Sequence, residues 1–257
     1  MRSWTAAGLM LIVAGCAGTG HQTADYAPQS GTETELQTRA RIHTELASGY
    51  LELGNYGVAL QEATEALKSE PDNVSALNVL GLVYMELRDD RAAEANFQRA
   101  LRVSPSDSNA NHNYGTFLCQ RKREQESVKY FLAALRNPLY LTPDKSWVNA
   151  GICARRAGDL VNAEDYFRKA LKVRPAQPQA LFLMADLAYK RRNYPEAKSY
   201  LVRLPRELAP TAEMLWLALR VERGLGDRNA EASLGFQLRK NFPDSIEARA
   251  LSAGQYE

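Results

Sequence analysis

Cysteine is scarce in this 257-residue chain, with three in all, so a disulfide-stapled mini-domain is excluded. An excess of charge of either sign is missing too. The 32 Lys and Arg stand against 30 Asp and Glu, a formal +2. No field follows that would draw in DNA or RNA, and nucleic acid is not an expected partner. The 11 prolines and 16 glycines show no collagenous period. The N-terminal apolar run from Ala6 to Ala14 is nine residues long, far short of the roughly 20 that cross a bilayer. What the chain does have is 45% apolar and 24% charged residues, the composition of a globular body.

The N-terminal run has a purpose other than spanning. Arg2 precedes it and Val13-Ala14-Gly15-Cys16 closes it, which reads as a signal peptide over residues 1–15. The closing phrase resembles the bacterial lipobox, and the resemblance implies cleavage before Cys16 and lipidation of its thiol. Each buried methylene contributes about 0.8 kcal/mol, so two or three acyl chains anchor a protein nearly irreversibly. Ala17 stands where Asp would retain many such lipoproteins in the inner membrane. By that family rule the chain is expected on the outer membrane, facing the periplasm. Residues 16–39 are rich in Gly, Thr, Ser and Gln with no helical stripe, and read as a flexible linker with a reach of about 25 Å.

From residue 40 a 34-residue period takes over. Glu65-Ala-Leu-Lys-Ser-Glu-Pro71 and Arg99-Ala-Leu-Arg-Val-Ser-Pro105 are the same phrase one period apart. Laid on that frame, the chain divides into six units, 40–73, 74–107, 108–143, 144–177, 178–211 and 212–245, with two extra residues near Asn137–Pro143. Leu77, Leu80, Gly81, Tyr84, Ala93, Phe97, Ala100 and Pro105 of the second unit recur as similar residues in the others. This resembles the tetratricopeptide repeat, in which each unit is an antiparallel helix pair. The resemblance implies an all-α, right-handed superhelical solenoid of six repeats, with residues 246–257 as a cap and tail. Small residues at the eighth and twentieth offsets let paired helices approach, and proline ends each second helix. Turn phrases such as Gly54-Asn55, Arg88-Asp89, Gly158-Asp159 and Gly226-Asp227 divide first helix from second.

No catalytic constellation emerges. His21, His43 and His112 are too scattered for a preformed metal site, and no phosphate loop or nucleophile elbow is present. The expectation is no enzyme, no metal, no cofactor beyond a covalent lipid on Cys16, and no small-molecule substrate. Cys119 and Cys153 fall at offsets twelve and ten of adjacent first helices, which points their side chains apart. Buried, inert thiols are the default, with a disulfide as the alternative in an oxidising compartment. In unit three the run Arg121–Ser127 is expected to lose a small residue of the repeat.

Repeats of this kind bind with the concave side, lined by first helices. Candidate groove residues are Thr44, Ser48, Leu51, Asn78, Val79, Leu82, Met85, Asn109, His112, Asn113, Thr116 and Asn149. Leu51, Val79, Leu82 and Met85 form an apolar strip suited to an amphipathic peptide, and the recurrent Asn78, Asn113 and Asn149 offer amides to a backbone. His112 falls at an offset expected to face solvent in the groove. Lys145, Arg155, Arg156, Lys190, Arg220 and Arg223 form a later basic face.

Lipobox, linker and six repeats together resemble the pilotin lipoproteins of type IV pilus machines, the PilF/PilW family. Phrases such as Asn113-Tyr-Gly-Thr-Phe-Leu118 and Met184-Ala-Asp-Leu-Ala-Tyr-Lys190 carry the likeness. It implies that the chain binds the outer-membrane secretin subunit and promotes its localisation and multimerisation, supporting pilus biogenesis and twitching motility. A general periplasmic scaffold for outer-membrane protein assembly is the alternative.

Overall fold

A computed structural model describes residues 33–256, and from Glu35 onward they form one compact unit. The signal peptide, Cys16 and most of the linker lie outside the described residues. Among the described residues there are thirteen helices and no strand: α1 (Glu35–Glu52), α2 (Tyr56–Ser69), α3 (Val74–Glu86), α4 (Asp90–Val103), α5 (Ser108–Gln120), α6 (Glu124–Ala134), α7 (Pro143–Arg156), α8 (Leu160–Val173), α9 (Pro178–Lys190), α10 (Tyr194–Leu201), α11 (Ala212–Leu225), α12 (Arg228–Asn241) and α13 (Ile246–Ser252). They pair as α1/α2 through α11/α12, one pair per unit, and α13 follows at the cap position. One boundary differs from expectation. Residues 35–39, assigned to the linker, are the first turns of α1.

Each unit turns between its helices in the same way. The fifteenth residue takes positive φ in all six: Gly54, Arg88, Lys122, Gly158, Arg192 and Gly226, between +60° and +84°. The next residue caps the second helix where its side chain allows, as Asp89 does by accepting from the Ala92 N–H at 2.9 Å. Second helices end two residues before Pro71, Pro105, Pro175 and Pro243.

Close approach within a unit requires one small residue opposite a large one. A Cβ on Gly81 would lie 2.5 Å from Phe97, and one on Gly151 would lie 2.4 Å from Phe167. In the sixth unit the sizes are exchanged. Leu219 occupies the eighth offset, and Gly235 faces it from α12. Unit three keeps its small residue after all. Ser127 sits at the alanine position fully buried, its hydroxyl donating to the Glu124 carbonyl at 2.8 Å. The charged run around it ties units together. Arg121 reaches Asp90 at 2.6 Å, and Arg123 reaches Glu94 at 2.7 Å.

The cysteines require a correction. Cys119 on α5 and Cys153 on α7 form a disulfide with Cα atoms 5.9 Å apart, covalently joining units three and four. Both are buried against Phe131 and Ala150, so the burial was as expected and the free thiols were not.

Candidate protein-docking site

First helices touch first helices of neighbouring units, as α1–α3, α3–α5, α5–α7 and α9–α11 do, while second helices make no comparable contacts with one another. The array therefore curves with first helices inside. Their exposed side chains are the inner surface.

The structure divides the twelve groove candidates into those spent on the array and those left open. Thr44, Asn78, Val79 and Met85 are buried. The Thr44 hydroxyl donates to the Ala40 carbonyl at 2.7 Å. Val79 packs with Ala47, Ala59 and Val83 between units one and two, and Met85 packs with Phe97, Tyr114 and Phe117 between units two and three. These four are corrected from ligand contacts to structural positions. The sixth offset points partly into the preceding unit and the twelfth into the next, and apolar side chains there follow the core. Asn113 donates to Asn78 at 3.2 Å, which occupies the buried Asn78 carbonyl and one donor of Asn113 and leaves the rest of the half-buried Asn113 amide to the groove.

His112 is likewise no solvent-facing spacer. Its Nδ1 lies 2.7 Å from the Ser146 hydroxyl, and its ring meets Phe131 edge-on at 5.5 Å. Burial first, and then nearby Lys145, push its pKa down to about 4, so the imidazole is neutral at pH 7. What remains accessible on the inner face of units one to three is half-buried Ser48, Leu51, Leu82, Thr116 and Asn113, with exposed Asn109. Half-buried Asn149 continues the row in unit four.

The more open apolar surface is one the sequence reading missed. Ile42, Glu45, Leu46, Gly49, Tyr50 and Leu53 line a shallow groove of about 450 Å³ along α1 and just past its end. Ile42, Leu46 and Leu53 are 46%, 43% and 80% exposed. The signal was available in the helical spacing of these residues, yet none of them was among the groove candidates. Gly49 adds to the groove by having no side chain over its floor.

Among the described residues no cluster of three or more His, Cys, Asp or Glu side chains is placed to hold a metal ion. No described helix is long and apolar enough to cross a membrane.

The tetratricopeptide repeat family matches residues 44–93, 83–140 and 154–219. Type IV pilus assembly protein PilF of Pseudomonas aeruginosa is 30% identical over 230 residues, covering 87% of this chain and 91% of that protein. The chain belongs to the PilF/PilW family. Two solved structures agree. That of Pseudomonas aeruginosa PilF superposes with a TM-score of 0.81 at 28% identity, covering 86% of this chain and all of the other. That of PilW, described as a widely conserved type IV pilus biogenesis factor, gives 0.74 at 33% identity, covering 82% and 97%. As a PilF/PilW protein the chain is a type IV pilus tetratricopeptide protein. Its solenoid is a protein-interaction scaffold, and its functional surfaces are those that meet partners.

Proposed function

We propose that the chain is a pilotin: a lipoprotein anchored through Cys16 to the outer membrane, facing the periplasm, that binds the secretin subunit of the type IV pilus machine and promotes its localisation and multimerisation there. Membership in the PilF/PilW family supports the pathway, and the exposed apolar groove of α1 is the observation that carries the binding role. An apolar helix face of this kind takes an amphipathic segment whose own hydrophobic residues would otherwise face water. Ser48, Leu51, Leu82, Asn109, Asn113, Thr116 and Asn149 extend the contact along the inner face. The lipid raises the local concentration of the bound subunit at the membrane, which favours ring assembly.

Leu46→Asp with Leu53→Asp tests the docking role, because both side chains are exposed and the substitutions leave the core alone. The variant should keep the wild-type circular dichroism and lose capture of purified secretin subunit by roughly ten-fold or more. Wild-type affinity would end the assignment to α1. Separately, Cys16→Ser should preserve binding yet leave secretin multimers outside the outer-membrane fraction; normal fractionation would remove the carrier role.

A further inference from the structure

The inner face changes sign along its length. At the thirteenth offset the residues run Glu52, Glu86, Gln120, Arg156, Lys190, Gly224. Glu45 adds a further carboxylate at the first end, and Lys145, Arg155 and Arg220 add cations at the other. The carboxylates among the inward offsets of units four to six are Asp186 and Glu213.

Elsewhere on the body cations cross-link neighbouring units through carboxylates, as Arg121 does to Asp90 and Lys198 to Glu222, and Arg191 shares Glu164 with Arg168, each on its own oxygen. In the later groove Arg155 and Lys190 both converge on one oxygen of Asp186, at 2.9 and 3.0 Å, leaving that trio net positive. Arg156 reaches only the Cys119 sulfur, at 3.8 Å. Arg220 is held by rings, 4.6 Å from the Tyr189 centroid and 5.4 Å from that of Trp216, and its Nε is buried without a hydrogen-bond partner. Among the described residues no carboxylate pairs with Arg156 or Arg220. The ladder is continuous, because Asp186, Tyr189 and Lys190 lie on one helix, α9, between Arg155 of α7 and Arg220 of α11.

From this arrangement we infer that the inner face of units four to six is a second docking surface, for an acidic segment of a protein partner, separate from the apolar groove of α1. Carboxylates of such a segment meet Arg155, Arg156 and Lys190 as direct counter-ions. The planar guanidinium of Arg220, fixed between Tyr189 and Trp216, offers the forked donor geometry that carboxylates accept. The acidic first half of the inner face, with Glu52 and Glu86, repels the same segment and fixes where along the array it lies. The surface does not depend on the secretin reading, since α1 contributes nothing to it.

The test is fluorescence anisotropy of a labelled peptide rich in Asp and Glu, against its counterpart with Asn and Gln, titrated with the intact protein. The acidic peptide should bind, weaken as salt is raised, and bind roughly ten-fold less well to Arg155→Glu/Lys190→Glu. Lys145→Gln/Lys190→Gln, which touches only exposed lysines, guards against misfolding and should weaken binding several-fold. Leu46→Asp on α1 should have no effect. Equal binding of the amide peptide, or unchanged affinity in both groove variants, would overturn the inference.

Discussion

Opening the bond between Cys119 and Cys153 tests the stacking register of the repeats and the oxidising environment the chain is expected to meet. The bond closes a loop of 34 residues between α5 and α7. In the chain-entropy treatment a loop of that length restricts the unfolded chain by about 4 kcal/mol at 25 °C. For a urea slope of roughly 2–3 kcal/mol/M, the unfolding midpoint should fall by about 1.3–2 M on reduction. Cys119→Ala/Cys153→Ala should reproduce the fall, since both side chains pack in a small apolar cluster with Phe131. Trp147 is a local reporter. It lies on α7 and stacks on Tyr166 at 5.7 Å, so its fluorescence follows unit four while circular dichroism follows the whole array. In repeat proteins each unit contacts only its neighbours, so the fluorescence midpoint should move more than the ellipticity midpoint. Alkylation of Cys119 and Cys153 by N-ethylmaleimide in native, unreduced protein would refute the pairing. A midpoint indifferent to dithiothreitol would refute the energetic role.

Three further outcomes follow from the packing. Gly151→Ala puts a Cβ 2.4 Å from the Phe167 ring and should destabilise by about 1–3 kcal/mol, whereas Gly235→Ala, whose nearest neighbour is 3.3 Å away, should cost under about 1 kcal/mol; equal losses in thermal melts would contradict the close-approach account. Arg88→Gly and Arg192→Gly should each raise stability by roughly 0.5–1 kcal/mol by relieving positive φ, and Gly158→Ala should lower it by about 1 kcal/mol; a loss in all three would show that the turns are held by side chains instead. His112, with its pKa pushed down to about 4 by burial, binds a proton more readily unfolded than folded. Stability is therefore full above about pH 6.5 and declines as pH falls toward 4, by about 2 kcal/mol at pH 5, a slope that His112→Gln should remove in urea titrations.

The solenoid was legible in the sequence because the repeat constrains contacts within a unit, and those recur at fixed offsets. The eighth-offset glycines, the Phe97 and Phe167 opposite them and the terminal prolines all stand where the period puts them. Contacts between units were not legible in the same frame. Comparing equal offsets sent Cys119 and Cys153 in different directions, yet they bond. His112 at the fifth offset meets Ser146 at the third, Arg155 at the twelfth meets Asp186 at the ninth, and Tyr189 at the twelfth meets Arg220 at the ninth. Contact between first helices thus slides two or three residues toward the N-terminus of the later helix. Asn78 and Asn113, at the fifth and sixth offsets, depart from that slide. The burial of Val79 and Met85 comes from the same source, since positions that look inward on an isolated helix are partly covered by a shifted neighbour.

The shifted stacking also explains why the two ends of the array differ. A solenoid's terminal units each have one face with no neighbouring unit to bury it. At the C-terminal end this chain supplies a substitute. α13 places Ala248 and Leu251 against Leu219 and Leu238, and Tyr256 stacks on Trp216 at 5.7 Å while Arg223 lies 3.8 Å over its ring. Arg223 finds its contacts in Glu231 of α12, at 2.8 Å, and in the Tyr256 ring. At the N-terminal end Ile42, Leu46 and Leu53 remain in water. Among the described residues, then, the C-terminal end is covered and the α1 face is left apolar and exposed. A helix laid against it would occupy the place that each preceding unit holds in the rest of the array. The partner segment that completes the stack should therefore be amphipathic and helical. The Leu46→Asp/Leu53→Asp variant removes the apolar floor for such a segment while changing two residues that lie outside the core clusters.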